Sequence, residues 1–251
     1  MEIRLNKYIA QSGICSRRKA DDLIKQGKVK VNNQIVKDLG TKVNPEKDKV
    51  SVEGKRIKPL GKEIFIKLYK PVGYLTQLGK DKFGKKTLSD LFEEVGIKEN
   101  VFPVGRLDYE SEGLLLLTNQ GDFAYKISHP KFKIPKTYIV EIDRRISHSE
   151  FNKLVKGTKL EDGFFKPDEI KILKKKRNST ILEMTIHSGK KRIIRRYMKA
   201  FGYNVKRLIR TKIGNIDLEG IDEKKIWKYL KPDFVKESFK RYDKRNNTKQ
   251  R

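Results

Sequence analysis

The residue of this sequence best placed to do chemistry is Asp108, in the stretch Gly-Arg-Leu-Asp-Tyr-Glu-Ser-Glu-Gly-Leu-Leu-Leu-Leu-Thr-Asn at residues 105–119. A carboxylate can act as a nucleophile or as a general base. The four consecutive leucines at 114–117 predict a strand buried on both faces. Asp108 is therefore expected on a loop that leads into a rigid strand, where reactive groups are commonly placed. Taken alone, an Asp in a loop is more often a turn cap or part of a surface ion pair.

The charge of the chain indicates a polyanionic partner. Lys and Arg number 60 and Asp and Glu number 32 among 251 residues, which gives a net charge of +28. An excess of this size is typical of proteins that bind RNA, DNA or an anionic membrane. No apolar run approaches the roughly 18 residues that a membrane span needs. The N-terminal residues Met-Glu-Ile-Arg-Leu lack the apolar core of a signal peptide.

Cysteine and histidine are too few to predict a metal centre. The single cysteine, Cys15, excludes an intramolecular disulfide and fits a reducing compartment. The three histidines, His129, His148 and His187, have no zinc-binding spacing with it. We therefore predict a cytoplasmic protein that binds nucleic acid, with no membrane association and no metal.

Residues 1–60 predict two short helices followed by a small sheet of hairpins. Ser16 is a candidate N-cap for the second helix. Arg17, Arg18 and Lys19 begin that helix, where free backbone N–H groups add positive potential for a phosphate. A solvated helix face is an equally good interpretation of these three residues from their types alone.

The motifs of this segment are similar to those of the S4 RNA-binding domain. They read Leu-Asn-Lys-Tyr-Ile-Ala at residues 5–10, Gly-Ile-Cys-Ser-Arg-Arg-Lys-Ala at 13–20 and Gly-Lys-Val-Lys-Val-Asn-Asn at 27–33. The usual turn of that domain is Asn-Gly, and Asn32-Asn33 replaces it here, since Asn tolerates the left-handed conformation. The resemblance implies that the basic cluster of the second helix contacts RNA.

Residues 63–232 predict a second region in which strands and helices are mixed. The strand pattern at 136–142 contains Tyr138, which by itself is an ordinary core aromatic. Residues 190–212 contain ten Lys or Arg and no Asp or Glu, and a helix face of one charge sign favours a phosphate partner. The Gly-, Lys- and Asp-rich loop at 78–86 is either a contact for RNA or a disordered crossover.

The string around Asp108 closely resembles the active-site signature of ribosomal-RNA pseudouridine synthases of the RsuA/RluB type. Two further motifs of that family follow in its order, Lys-Thr-Tyr at 136–138 and Arg-Ile-Ile-Arg-Arg-Tyr-Met at 192–198. The resemblance implies that Asp108 is the catalytic aspartate, that Tyr138 stacks on the target uracil, and that Arg195 is the basic partner of the aspartate.

The third motif departs from its usual form, Arg-Gln-Val-Arg-Arg-Met. Ile193 replaces a polar residue and Tyr197 is inserted before the methionine, so Arg192 and Arg196 remain alternatives to Arg195. By the resemblance, further side chains bind the substrate or the surrounding RNA. The substrate-binding set is Arg106, Leu208, Arg192 and Arg196, and the RNA-binding set is Arg17, Arg18, Lys19, Lys190 and Lys191.

The reaction implied by the resemblance is the conversion of a uridine into pseudouridine. The C1′–N1 bond breaks, the base turns, and a bond forms between C1′ and C5, which requires no redox step and no cofactor. The aspartate attacks C1′ as a nucleophile or removes a proton from C2′ as a base, and the sequence does not choose between these routes. A nearby guanidinium keeps a buried aspartate ionised. The target nucleotide leaves its stack, and Arg106 could fill the gap.

We therefore predict an α+β chain in three parts. Residues 1–60 form an S4-like module, residues 63–232 form a catalytic domain with a mixed, mainly antiparallel sheet, and residues 233–251 form a basic, disordered tail. The expected partner is ribosomal RNA, of the large subunit in a precursor ribosome, and the protein is expected to be a monomer.

Two other interpretations differ in class. A non-catalytic RNA-binding or ribosome-assembly protein would explain the charge and the S4-like module, but it would not require Asp108, Tyr138 and Arg195 together. A glycosidase would use two carboxylates, for which Glu110 and Glu112 are candidates, but it has no need of this charge.

Overall fold

The computed structural model describes residues 2–59 and 61–247, and the chain divides between Glu63 and Ile64 into two compact units. Both units combine helices with sheets, which confirms the predicted α+β class. Within the described residues, no helix combines the length and the apolar character needed to cross a membrane.

The N-terminal unit packs two helices against short strands. Its core is the set of buried residues Leu5, Tyr8, Ile9, Ala20, Leu23, Ile24, Val29, Val43, Val50, Val52 and Ile57. A four-stranded sheet has the order β3-β2-β5-β6, and β1 pairs with β4. The elements are β1 (Ile3–Arg4), α1 (Leu5–Gln11), α2 (Arg17–Lys25), β2 (Val29–Val31), β3 (Gln34–Ile35), β4 (Lys42–Val43), β5 (Val50–Val52) and β6 (Lys55–Ile57).

Two local predictions for this unit are confirmed. The Ser16 side chain caps α2 by accepting a hydrogen bond from the backbone N–H of Lys19. Asn32 and Asn33 both have positive φ angles, of 48° and 68°, and they join β2 to β3 as a two-residue hairpin turn. A two-residue turn with positive φ at both residues has a twist that matches the twist of the strands it connects. Asn can occupy both positions because it tolerates the left-handed conformation.

The second unit is built on one large mixed sheet. The strands of this unit are β7 (Phe65–Lys70), β8 (Phe102–Pro103), β9 (Glu112–Thr118), β10 (Lys136–Ile142), β11 (Thr158–Leu160), β12 (Gly163–Phe165), β13 (Glu169–Lys175), β14 (Thr180–Ile186), β15 (Val205–Ile213), β16 (Ile216–Asp217) and β17 (Trp227–Tyr229). The large sheet has the order β13-β14-β10-β15-β9-β7-β17, with β16 paired to β15 and β8 paired to β9, whereas β11 and β12 form a separate two-stranded sheet. The helices are α3 (Leu88–Val95), α4 (Gly121–Ser128), α5 (His148–Lys156), α6 (Ile193–Ala200) and α7 (Pro232–Asn247), with a 3₁₀ turn at Pro130–Phe132.

A parallel seam lies at the centre of this sheet. The other strand pairs are antiparallel, but β15 and β9 run parallel and share two residue pairs, Ile209 with Glu112 and Arg210 with Gly113. The predicted leucine strand is β9, and every residue of it is buried. Leu115 and Leu117 face one core with α3 and α6, whereas Leu114 and Leu116 face a second core with α4 and α7.

One prediction near the C-terminus is wrong. The segment expected to be a disordered tail forms the helix α7, which buries Val235, Phe239 and Tyr242 in the second core. Residues 248–251 of that predicted tail lie outside the described residues. Before α7, residues 222–226 form a turn that leads into β17, which pairs with β7 at the sheet edge.

Candidate active site

The loop that carries Asp108 is fixed on both sides of the aspartate. The Thr76 hydroxyl accepts a hydrogen bond from the Leu107 N–H at 3.1 Å and donates one to the Leu107 carbonyl at 2.6 Å. The Gly73 N–H donates to the Tyr109 carbonyl, and the Ser111 N–H donates to the Asp108 carbonyl. Asp108 itself is partly exposed and lines the cavity described below. These hydrogen bonds fix the backbone on both sides of Asp108, while its carboxylate stays open to a ligand.

Gly113 allows the close approach of the two central strands. Its φ is 102°, and a Cβ atom placed on it would lie 2.4 Å from the Arg210 carbonyl oxygen and 2.8 Å from the Arg210 nitrogen. A side chain therefore cannot be accommodated without moving β15 away from β9. The absence of a side chain at Gly113 therefore lets the strand of Arg210 pack directly against the strand that follows the loop of Asp108.

A cavity of about 480 Å³ opens at this seam. That volume lies within the range of sites for small ligands. Residues from the predicted catalytic and binding sets line it together. They are Arg106, Asp108, Tyr138, Lys190, Lys191, Arg192 and Leu208, joined by Leu107, Ser111, Lys136 and Arg210 among others.

Tyr138 and Leu208 form an apolar part of the wall. Tyr138 lies near the start of β10, 8% exposed, and it pairs in register with Arg210 of β15. Leu208 is 6% exposed and pairs with Val140. Since neighbouring strands place paired residues on one face, the ring of Tyr138 and the side chain of Leu208 meet above the same region of the sheet.

Arg210 is a cation that the prediction did not include. It is 2% exposed, its Nε donates to the Leu114 carbonyl at 2.7 Å, and its Nη1 donates to the Arg106 carbonyl at 3.3 Å. Its Nη2 has no hydrogen-bond partner in the described part of the chain. A buried donor without a partner is costly, by about 1–3 kcal/mol, so this N–H is available to a bound group.

Lys136 and Lys70 add two more ammonium groups, one on a half-buried side chain and one on a fully buried side chain. Lys136 lines the cavity, and burial together with the charge of Arg210 lowers the pKa of Lys136 to about 8. Lys70 is fully buried beneath the loop, and its Nζ donates to the carbonyls of Pro71 and Ser111 at 2.7 and 2.9 Å. Burial, with the charge of Arg210, lowers the pKa of Lys70 to about 8 as well.

Strand periodicity contained a signal for two of these cations. Lys136 lies two residues before Tyr138 on β10, and Arg210 lies two residues after Leu208 on β15. Side chains two apart on a strand share a face. If Tyr138 and Leu208 face a cavity, both cations must face it too.

Arg195 lies beside the catalytic loop but outside the lining of the cavity. Its guanidinium donates to the carbonyls of Val205 and Glu110, both at 2.9 Å. Burial lowers the pKa of Arg195, while the charges of Glu110 and Asp108 act in the opposite direction. Its Nε has no hydrogen-bond partner among the described residues, although the Glu110 carboxylate is 3.8 Å away.

Glu110 ties the catalytic loop to the start of α6. Its carboxylate lies 2.9 Å from the guanidinium of Arg192, and this contact does most to lower the pKa of Glu110. Arg192 has a φ of 50° and is the N-cap residue of α6. The exposed Glu110 carboxylate thus connects the loop of Asp108 to Arg192, the first residue of the basic third motif.

Arg196 points to a different partner from the one predicted. It is absent from the cavity lining, and its guanidinium makes two hydrogen bonds, of 2.9 and 3.0 Å, with the Asp162 carboxylate. Lys190 lines the cavity and also donates to the Asp162 carbonyl at 2.7 Å. The remaining predicted contacts, Arg17, Arg18 and Lys19, are exposed on α2 of the N-terminal unit. No group of three His, Cys, Asp or Glu residues in the described ranges could hold a metal ion.

Family models match both units of the chain. Residues 64–200 match the model described as RNA pseudouridylate synthase, and residues 3–50 match the S4 domain. The first match contains Asp108, Tyr138 and Arg195, and the second contains the basic cluster of α2.

Several proteins are similar over nearly the whole chain. A protein of Aquifex aeolicus named "uncharacterized RNA pseudouridine synthase" is 46% identical over 240 residues, which cover 96% of this chain and 95% of that protein. The "ribosomal large subunit pseudouridine synthase B" of Bacillus subtilis is 41% identical, with 87% and 88% covered. A crystal structure titled as a pseudouridylate synthase superposes with a TM-score of 0.61 at 26% identity, covering 94% of this chain and 99% of that one.

Proposed function

The chain belongs to the RNA pseudouridine synthase family, and from that premise we propose that it converts a uridine of large-subunit ribosomal RNA into pseudouridine, with Asp108 as the catalytic carboxylate. Family membership makes the chain an RNA-modifying isomerase with an S4 domain, and it favours the enzyme over the non-catalytic RNA-binding protein. The name of the Bacillus subtilis relative supports the choice of the large subunit. We place the enzyme in the cytoplasm as a monomer.

The observation that carries this proposal is that Asp108 and Tyr138 line one cavity at the seam of the sheet. A uridine turned out of its stack would place its ring against Tyr138 and Leu208, and its ribose toward Asp108. Stacking on an aromatic ring contributes on the order of 1–3 kcal/mol per base. The cavity is open to solvent at Arg106, whose exposed side chain could occupy the space that the base leaves in the RNA.

The reaction needs one carboxylate and two proton transfers. The C1′–N1 bond breaks, the uracil turns within the cavity, C5 bonds to C1′, and the proton on C5 leaves while N1 gains one. Asp108 takes part as a nucleophile at C1′ or as a base at C2′, and the geometry is compatible with both routes. The Tyr138 hydroxyl can assist removal of the C5 proton.

Two guanidinium groups support the charge on Asp108. Burial lowers the pKa of Arg195, the charge of Asp108 offsets part of that effect, and the Nε of Arg195 has no hydrogen-bond partner in the described chain. Arg210 offers a second unpartnered N–H from inside the cavity. We assign Arg195 as the basic partner of Asp108, as the third motif implies, and Arg210 as a second donor toward the bound nucleotide.

The test is the conversion of Asp108 to Asn, which keeps the shape of the side chain and removes its charge. Asp108→Asn is expected to bind ribosomal RNA with the affinity of the parent and to form no pseudouridine. Pseudouridine is measured in ribosomal RNA after incubation with the purified protein. Asp233→Asn, an identical charge change on the exposed start of α7, is the matched control and should retain full activity.

Activity of Asp108→Asn within tenfold of the parent would refute the assignment of Asp108. Mapping of pseudouridines in ribosomal RNA from cells with and without the gene identifies the uridine. A missing pseudouridine in small-subunit RNA instead would refute the choice of subunit.

A further inference from the structure

An exposed aromatic ring stands on a basic loop next to the candidate active site. Phe83 is 88% exposed, in the loop at residues 77–86 between β7 and α3. This loop contains four lysines, at positions 80, 82, 85 and 86, and one acid, Asp81. A single exposed apolar side chain is common on protein surfaces, but this ring stands among lysines on a loop beside the candidate active site.

The loop has a defined shape. The Asp81 carboxylate accepts hydrogen bonds from the backbone N–H groups of Phe83, at 2.9 Å, and Lys85, at 3.3 Å. The Gly79 N–H donates to the Ser89 hydroxyl at 2.7 Å. Leu75 and Thr87 form a β-bridge that closes the base of the loop. The acid of the loop is thus engaged with its own backbone, and Phe83 projects from a turn that hydrogen bonds maintain.

The base of this loop is attached to the residues on either side of Asp108. The Thr76 hydroxyl is hydrogen-bonded to both the N–H and the carbonyl of Leu107. The Lys85 ammonium lies 5.0 Å from the centre of the Tyr109 ring, which is a cation–π distance. An RNA strand that enters the cavity at Asp108 therefore passes close to this loop.

We propose that Phe83 stacks on an unpaired nucleobase of the substrate RNA that flanks the target uridine, while the loop lysines contact the adjacent phosphates. The proposal rests on the proposed function, because it requires RNA at the cavity. Aromatic rings bind bases of any sequence by stacking, and lysines beside them bind the backbone. The stacked base is a neighbour of the target, since the target itself occupies the cavity lined by Tyr138.

RNA suits this surface better than a protein partner does. Protein interfaces are depleted of lysine at their centres, whereas nucleic-acid interfaces are positively charged. Four lysines share the loop with this exposed ring, and Lys86 is paired with the Glu94 carboxylate. The charge of Lys80, Lys82 and Lys85 matches a phosphate backbone, and the ring matches a base. The ring also lies beside a site whose substrate is RNA.

Three substitutions at this position separate stacking from simple apolar contact. Phe83→Ala is expected to weaken binding of ribosomal RNA by about tenfold, since the stacking of one base is lost. Phe83→Trp should bind as tightly as the parent, and Phe83→Leu should resemble Phe83→Ala. Phe234→Ala removes an exposed phenyl ring from α7 and is the matched control, with affinity unchanged. Affinity is measured by titration of a ribosomal RNA fragment into each protein.

The Phe83→Trp variant also provides a direct signal. Stacking of the new indole on a base is expected to quench its fluorescence on RNA binding, relative to the parent, whose one tryptophan is Trp227. Affinity of Phe83→Ala within twofold of the parent, or an unquenched indole, overturns the proposal. Both measurements report RNA binding, so they test the role of the loop even if no pseudouridine is formed. The activity of Asp108→Asn tests the proposed function.

Discussion

At the scale of single residues, Lys70 shows how the site keeps positive charge where water is excluded. Its ammonium donates to the carbonyl of Ser111, three residues after Asp108, and so supports the catalytic loop from below. Burial of the charge is costly, and this cost is expressed as a pKa lowered to about 8. The charges of Glu112 and Asp108 offset part of this effect.

The lowered pKa predicts a pH dependence of stability. Between about pH 8 and the ordinary lysine value, Lys70 is deprotonated in the folded chain and protonated in the unfolded chain. The unfolded state then binds more protons, so the free energy of unfolding rises with pH. Below pH 8 both states are protonated and the full cost of burying the charge remains. Lys70→Met should reduce the slope between pH 8 and 10 by up to about 1.4 kcal/mol per pH unit.

This slope is measured by urea denaturation followed through the fluorescence of Trp227, which packs in the catalytic unit. Plots of the free energy of unfolding against pH for Lys70→Met and the parent should run parallel between pH 6 and about pH 7, about a unit or more below the lowered pKa of about 8. If the two proteins also had equal slopes from pH 8 to 10, the charge state assigned to Lys70 would be wrong.

The sequence identifies residues in this site better than it identifies their partners. Asp108, Tyr138 and Leu208 were predicted from motifs, and they line one cavity. The neighbours Lys70 and Arg210 were not predicted, because they meet the catalytic loop through strand pairing between distant segments. Arg196 was predicted to bind substrate and instead pairs with Asp162, whose position on a separate turn no local pattern reveals.

At the scale of elements, α7 shows how composition can conceal a structural helix. The segment after Pro232 is rich in Lys, Arg and Asn, which suggested disorder. Val235, Phe239 and Tyr242 nevertheless recur at helical spacing and enter the core behind Leu114 and Leu116. The central strand β9 was predicted from its leucines. The helix α7, which covers the face of Leu114 and Leu116, was not predicted, because only these three apolar residues mark it in a polar segment.

The burial of α7 predicts a large difference between two phenylalanines. Phe239 is 2% exposed and packs against Gly214, whereas Phe234 on the same helix is 52% exposed. Phe239→Ala should lower the free energy of unfolding by about 3 kcal/mol or more. Phe234→Ala should change it by less than about 0.5 kcal/mol. The comparison uses urea denaturation at pH 7, and equal effects of the two substitutions would contradict the docking of α7.

At the scale of the whole molecule, charge is distributed over both units. The net charge of +28 includes the exposed basic cluster of α2 as well as the lysines and arginines around the cavity. Each unit thus has its own means of neutralising phosphates. Composition alone predicted this property, because net charge needs no knowledge of the fold.

RNA affinity is therefore expected to depend steeply on salt. When several phosphates are neutralised at once, affinity should fall by roughly a hundredfold or more for a roughly fourfold rise in salt. Replacing Arg17, Arg18 and Lys19 with Gln should reduce the slope of log affinity against log salt by about two. Filter binding over a range of KCl concentrations measures both slopes, and a flat response in the parent would exclude these cations as phosphate contacts.

The parallel pairing of β15 with β9 also determines when catalytic activity can arise during synthesis of the chain. The core of the N-terminal module closes with residues that are translated before those of the second unit. Arg210 donates a hydrogen bond to the carbonyl of Leu114, which lies 96 positions earlier in the chain. The cavity is therefore incomplete until β15, Val205–Ile213, has left the ribosome. Contacts this distant along a chain form late in folding. A nascent polypeptide can thus possess its RNA-binding module while it is still unable to modify a nucleotide, and activity begins only after Val205–Ile213 has joined the sheet.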